Sequence, residues 1–246
     1  MPNLRSTQRP LPRAQLAIYF GHLLDPTGVR YTIAQYTEIQ GPLDIERLSL
    51  AIQHAIQATP AYRSRLDLTQ DPPRFLTQQT LAWTLPIIDL MSETDPVSSA
   101  HNWMQQRLQQ PFMLDALPLF DITLLRLNKE HYFLFQSDHH IIADGLSAHR
   151  FLTFIFEDYQ RLTQGANEHT SRDSSCDPFY PDLGYEAESD YLSGPQYNTD
   201  HAFWRSYLKD CEQQPSLSLG RGQALGEGFL RETRTLDSTL IEAIQH

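Results

Sequence analysis

His139-His140-Ile141-Ile142-Ala143-Asp144-Gly145 is the stretch on which the reading of this chain turns. Two adjacent histidines, three apolar or small residues and an Asp-Gly pair stand between segments of different periodicity. The preceding run, His131 to Asp138, is apolar enough to predict a buried strand. The following run, Ser147 to Thr163, places Ala148, Phe151, Leu152, Ile155, Tyr159 and Leu162 at helical spacing, and Gly165 is the C-terminal stop. A histidine at a strand-to-helix junction has its backbone fixed on both sides and its ring free to enter a cleft, a setting suited to proton transfer. Neighbouring residues leaving a strand point to opposite sides, so one histidine can be buried and structural while the other faces the cleft.

Working outward, Leu119–Leu127 and His131–Ser137 flank Asn128-Lys129-Glu130 and predict a hairpin. Arg13–Leu24 predicts a helix ended by Asp25-Pro26-Thr27-Gly28, and Tyr31–Gln40 a strand. Asp44 caps a helix carrying Ile45, Leu48, Ile52, Ala55 and Ile56, stopped at Thr59-Pro60. Tyr62–Leu68, Arg74–Thr84 and Pro86–Leu90 read as short strands, and Asp95-Pro96 starts a helix lined by Ala100, Trp103, Met104 and Leu108. Ala166–Pro178 is polar and linker-like. A helix over Tyr197–Cys211, a Gly-rich stretch over Gly220–Gly228, a strand over Phe229–Leu236 and a helix starting at Asp237 follow. The last pattern is cut in mid-course, so the sequence is expected to be part of a longer protein. The alternation predicts an α/β fold, a mixed β-sheet packed with helices.

The 246 residues are 40% hydrophobic and 11% aromatic, which predicts a globular chain with a substantial core. Lys and Arg total 19 against 30 Asp and Glu, a formal charge of -11. No basic cluster offsets that acidity, which argues against nucleic acid and against an anionic membrane surface as partners. The two cysteines, Cys176 and Cys211, match no metal spacing and lie in polar surroundings. With no signal-peptide core at the N-terminus and no membrane-length apolar run, a cytoplasmic location is expected.

A neutral imidazole accepts a proton from an amine or alcohol near physiological pH. His139 and His140 stand apart by context, whereas His22, His54, His101, His149, His169 and His201 read as surface residues or partners of nearby groups. No Gly-x-Ser-x-Gly accompanies the pair. The rival chemistry is a metal-dependent hydrolase. It would use His140 and Asp144, at i and i+4, with His139 or Asp138 as third ligand. Adjacent histidines converge poorly on one ion and no second ligand cluster is present, so no metal is expected.

His139-His140-x-x-x-Asp144-Gly145 resembles the HHxxxDG motif of condensation domains of nonribosomal peptide synthetases, members of the chloramphenicol acetyltransferase-like superfamily. Other segments match in order. Pro12-Arg13-Ala14-Gln15 through Phe20 to Leu24 resembles the opening S-x-A-Q-x-R-L-W-like motif, with Pro12 in place of Ser and Ala17 in place of Arg. Tyr62-Arg63-Ser64-Arg65-Leu66 resembles the L-R-T-x-F core of the second motif. Pro111-Phe112-Met113-Leu114 with Pro118-Leu119 resembles P-F-D-L…P-L. Tyr180-Pro181-Asp182 loosely resembles the start of Y-x-D-F-A-V-W, and Ala202-Phe203-Trp204 a downstream Phe-Trp helix in which Trp204 would pack in the core.

The resemblance implies a chloramphenicol acetyltransferase-like N-terminal lobe over residues 1–167. A linker and an incomplete start of the C-terminal lobe would occupy 168–246, ending before most of that lobe. It implies an enzyme that joins an acyl or aminoacyl thioester on a donor carrier protein to the amine of an acceptor aminoacyl carrier protein. No tightly bound cofactor is implied, because the substrates ride on phosphopantetheine arms. His140 matches the histidine that acts at the attacking amine, as general base or as a group that positions the amine and stabilises the tetrahedral intermediate. His139 is implied to be structural, and Asp144 to form a bracing salt bridge with Arg63. Gly145 is implied to keep the backbone close to the substrate path. A downstream adenylation domain in the same polypeptide is a further implied partner. Ile33–Glu38 and the motif's place near Met1 resemble first-position domains of siderophore-type synthetases, which accept an aryl acid. The alternative within the family is a degenerate domain that docks carrier proteins without chemistry, and a single lobe is expected to be inactive.

Overall fold

A computed structural model of the chain describes residues 7–25, 27–165 and 183–209. The expected linker, Tyr180-Pro181-Asp182, Cys176, Cys211, the Gly-rich stretch, the strand over Phe229–Leu236 and the last helix start lie outside the described residues, as does the expected boundary at 167/168. Contacts divide the chain into two units, Met1–Gly194 and Pro195–His246.

The first unit is built around a four-stranded sheet in the order β2-β7-β6-β5. β2 is Thr32–Gln40, β5 Ile87–Asp89, β6 Phe120–Asn128 and β7 His131–His139. β2 and β6 pair with β7 antiparallel, and β5 pairs with β6 parallel. The hairpin between β6 and β7 turns on Asn128, whose Oδ1 accepts the Glu130 N–H at 2.8 Å. A bulge lies between Arg126 and Asn128.

β7 is buried from Tyr132 to His139 because both of its faces are covered. On one face Tyr132 and Leu134, with Ile122 and Leu124 of β6, pack against α2 (Ile45–Ala58) and α4 (Gly145–Thr163). Leu48, Ile52 and Ile56 come from α2, and Phe151 and Ile155 from α4. On the other face Phe133, Phe135, Leu125 and Leu127 pack against Ala100 and Met104 of α3 (Pro96–Leu108). The Phe151 ring stacks on Tyr62 with centroids 3.9 Å apart and planes 2° from parallel.

Two helix starts are those the sequence specifies, and α4 begins two residues before the expected Ser147. Asp44 and Asp95 cap α2 and α3 by accepting the Arg47 and Ser98 N–H groups. Asp144 caps α4 in a reciprocal box with Ser147. Gly165, at φ +86°, follows α4 in a conformation that L side chains rarely adopt.

A smaller three-stranded sheet, β1-β4-β3, joins Thr7–Pro10, Arg74–Thr77 and Ser64–Asp67, all antiparallel. These strands are shorter than the apolar runs suggest, because the chain leaves the ladder after Thr77. α1 is Arg13–Leu23 and α5 Leu183–Ser193. Both oxygens of Glu188 in α5 accept the Arg13 N–H, at 3.1 and 3.0 Å, satisfying an orphan donor at the start of α1. In the second unit, α6 (Pro195–Tyr207) carries Phe203, Trp204 and Tyr207 in mutual ring contact and half-exposed. Trp204 is therefore not a core residue of the described chain. No described helix is long and apolar enough to cross a membrane.

Arg63 corrects one expectation. It does not pair with Asp144. Its guanidinium donates to the carbonyls of Ile56 at 3.2 Å, of Gln79 at 2.9 Å and of Gln78. Ile56 lies in the last turn of α2, where carbonyls have no partner within the helix, so the cation satisfies a helix C-terminus. Asp144 is occupied by Ser147, whose Oγ lies 2.6 Å and whose N lies 2.8 Å from Oδ1. Arg63→Met is expected to cost about 3 kcal/mol, since it strips a cation from buried carbonyls, and Asp144→Ala about 1 kcal/mol, the value of an N-cap. In urea unfolding the double variant should show the two losses adding to within about 0.5 kcal/mol. A coupling of 2 kcal/mol or more, on the order expected for a paired buried charge, would restore the direct bridge.

Candidate active site

Three consecutive motif residues are held by one segment, α1 and the loop that follows it. The Gln15 side-chain amide donates to the Ile141 carbonyl at 2.8 Å. His22 Nδ1 lies 3.2 Å from His139 Nε2. The Tyr31 carbonyl accepts the His140 N–H at 2.7 Å. Gln15 and His22 are seven residues apart, two turns of helix, so they share a face. No residue of α1 is buried. Beside these polar contacts, Leu16, Ile18 and Tyr19 of the helix pack partly buried against the core cluster that contains Ile141, Ile142 and Ala143.

Asp25 sets the loop between His22 and Tyr31. Its carboxylate accepts the N–H groups of Arg30 at 2.8 Å and Thr27 at 3.1 Å, and the Thr27 hydroxyl at 2.8 Å. The Arg30 N–H foremost, with the Thr27 groups, holds this carboxyl down at about 2.

His139 is fully buried. Its Nδ1 accepts the Ile141 N–H at 3.1 Å, and its carbonyl accepts the Ile142 N–H at 3.0 Å. The ring thus folds over the turn that carries His140. Burial first, with His22 and His140 nearby, pushes the His139 imidazole down to about 3, so it is neutral at physiological pH. Its Leu119 contact at 2.9 Å closes the β6 side of the strand end.

His140 is half-buried, and its Nδ1 is enclosed without a hydrogen-bond partner among the described residues. Asp144 is exposed at the head of α4. Its carboxyl is held below the usual range by the Ser147 hydroxyl and N–H, with a smaller contribution from His140. Gly145 has no atom within 4 Å of where a Cβ would project, and its backbone does not need positive φ. The motif glycine is therefore not required by this fold. Its missing side chain leaves open space beside the His140 turn. No three His, Cys, Asp or Glu residues among those described stand together as a metal group.

Asp138, on the opposite face of β7 from His139, is buried with Gln136 and Tyr62. The Gln136 amide spends both N–H groups, one on the Tyr62 hydroxyl at 2.9 Å and one on Asp138 Oδ2 at 2.7 Å. Asp138 Oδ1 has no partner among the described residues, and burial raises this carboxyl to about 7. His22 and Asp138 are two site residues that the sequence does not single out. His22 reads as an ordinary histidine, and the signal that finds it is its i+7 spacing from Gln15. Asp138 enters the sequence reading only within the rejected metal alternative.

The two buried groups titrate with opposite sign. Folding lowers the His139 pKa, so its contribution is present above about 6.5 and is lost towards 3. Folding raises the Asp138 pKa, so its contribution is present below about 4 and is lost as pH rises to about 7. Asp138→Asn keeps the acceptor for Gln136 and removes the titration. Its stability advantage over the parent should be small at pH 4 and widen by about 1.4 kcal/mol per pH unit up to about pH 7. Urea unfolding across that range measures it, and a gap that stays constant would show that Asp138 does not take up the proton.

Comparisons with known proteins bear on the family and the fold. The condensation-domain family model matches residues 5–246. The dimodular nonribosomal peptide synthase of Bacillus subtilis (strain 168) is 30% identical over 245 residues, covering 100% of this chain and 10% of that protein. Enterobactin synthase component F of Escherichia coli is 27% identical over 216 residues, covering 87% of this chain and 16% of that protein. The solved starter condensation domain of rhizomide synthetase superposes with a TM-score of 0.73 at 29% identity, over 83% of this chain and 48% of that chain. A variant of that domain in complex with C8-CoA and Leu-SNAC superposes at 0.74, with 28% identity over 83% of this chain and 46% of that chain. The chain thus spans about half the length of the solved domains it matches and a tenth of its synthase relative. On its fold, its motif turn and a family match running from residue 5 to its last residue, the chain belongs to the condensation-domain family.

Proposed function

We propose that this chain supplies the histidine-bearing lobe of an amide-forming site in nonribosomal peptide synthesis. The observation that carries the reading is the turn itself. His140 is pinned by its backbone to Tyr31, flanked by a neutral buried His139, and sits beside the open space at Gly145. In the proposed reaction the acceptor amine attacks the carbonyl carbon of a donor thioester. A C–N bond forms and a tetrahedral oxyanion results. Collapse breaks the C–S bond, the thiol leaves, and the amine nitrogen gives up its proton. His140 acts at that nitrogen, accepting the proton or holding the amine and the intermediate in place.

The donor is read as an acyl or aryl thioester of a starter step, and the acceptor as an aminoacyl thioester. Support comes from the likeness to a starter domain and to its complex with C8-CoA and Leu-SNAC, and from the relation to an enterobactin synthase. Donor and acceptor carrier proteins, each with a phosphopantetheine arm, are the proposed partners. An adenylation domain in the same polypeptide is a further one, and the proposed location is the cytoplasm.

The test uses the full-length protein with thioester donors and amine acceptors. His140→Ala should lower turnover by about 10²-fold or more, the usual weight of a positioned acid–base group. Wild-type rates for every substrate pair would remove His140 from the chemistry. Gly145→Ala should raise stability slightly, because the added methyl meets nothing and the unfolded chain loses freedom, yet slow turnover, because the proposed substrate arm passes through that space.

A further inference from the structure

We propose that His22 is a positioning residue for this reaction: by accepting a hydrogen bond from His139 it selects the one His139 tautomer that can hold the turn presenting His140. The proposal rests on the amide-forming reading for its kinetic consequence and on geometry alone for its structural one.

The contacts leave the protons at this junction no freedom to move. The Ile141 backbone N–H can only donate, and at 3.1 Å it donates to His139 Nδ1. That nitrogen must therefore be bare. His139 is neutral in its buried setting, so its single N–H is at Nε2. Nε2 lies 3.2 Å from His22 Nδ1, which must be the acceptor. His22 in turn carries its own proton on Nε2. The opposite His139 tautomer would set an N–H against the Ile141 N–H, opening the turn, and would leave two bare nitrogens facing each other at His22.

The surroundings favour the same arrangement. The titratable groups around His22 are Asp25, in the loop after α1, and His139 at the end of β7, with His140 beyond it. Burial outweighs Asp25 and lowers the His22 pKa, so Nδ1 keeps its lone pair. Tyr31 and Phe112 flank the His139 ring at 6.4 Å each, without offering it an acceptor. Among the described residues the acceptor for Nε2–H is His22. Gln15, two turns earlier, fixes the far side of the same turn through the Ile141 carbonyl. α1 thus fixes both the ring and the backbone of the turn.

Two variants separate this role from plain packing. His22→Asn places a side-chain oxygen close to the position of Nδ1 and keeps an acceptor. His22→Phe keeps a ring and removes it. In the chain labelled with nitrogen-15 histidine, imidazole nitrogen shifts should show His139 protonated at Nε2 and bare at Nδ1, and the same in His22→Asn. His22→Phe should show a mixed or inverted pattern. In the full-length protein His22→Phe should lower kcat by about 10- to 100-fold, the scale of a slightly misplaced reacting group, with KM within about twofold. His22→Asn should retain kcat to within about threefold. A wild-type His139 protonated at Nδ1 would overturn the proposal, and that measurement needs no variant to fold. So would unchanged kcat in folded His22→Phe, or equal damage by both substitutions. If the wild-type protein joined no amine to any thioester, the functional reading would fail while the nitrogen shifts still decided the tautomer.

Discussion

The hydrogen-bonded confinement of β7 is the constraint on which everything else depends. The strand is paired on both edges and covered on both faces, so it has no freedom to slip. A shift of one residue would exchange the α3 face for the α2/α4 face along its whole length and bury the wrong side chains. The last residue of the strand inherits that certainty. His139 is paired with Thr32, bonded to Leu119 and folded over its own turn, and His140 follows with no slack in the backbone. Position at the motif is therefore a product of the sheet, achieved before any group at the site makes a contact.

Elements whose burial is apolar were legible in the sequence. α2 announces itself through its spacing and cap, α4 through its spacing and the Gly165 stop, α3 through Asp95-Pro96, and the β6–β7 hairpin through two apolar runs around Asn128. The motif histidines were legible too, as a string and as a junction. α1 was legible as a helix but not as a support, because the groups that bond the motif turn are a glutamine amide and an imidazole nitrogen. Neither contributes to an apolar pattern. β1 was invisible for a related reason, being polar, partly exposed and held by backbone pairing with β4.

Arg63 and Asp144 show a different limit. A cation and an anion in matching motifs invite a pairing, but side-chain partners are decided by local accounting. The end of α2 exposes carbonyls close to Arg63, and the start of α4 exposes N–H groups close to Asp144. Each ion answers the nearer demand, and each demand is set by a helix terminus that the sequence already defined. Gly145 differs from both: neither its φ nor its surroundings require a glycine in this fold.

The opposed titrations of His139 and Asp138 matter for anyone measuring the chemistry. From about pH 4 to about 6.5 one group makes folding more favourable with each step while the other makes it less so by a similar amount. Up to about pH 6.5 the two slopes therefore oppose one another, and from there to about 7 Asp138 alone still titrates. An inflection near pH 7 therefore belongs to this buried carboxyl until the Asp138→Asn protein, which lacks the titration, still shows it.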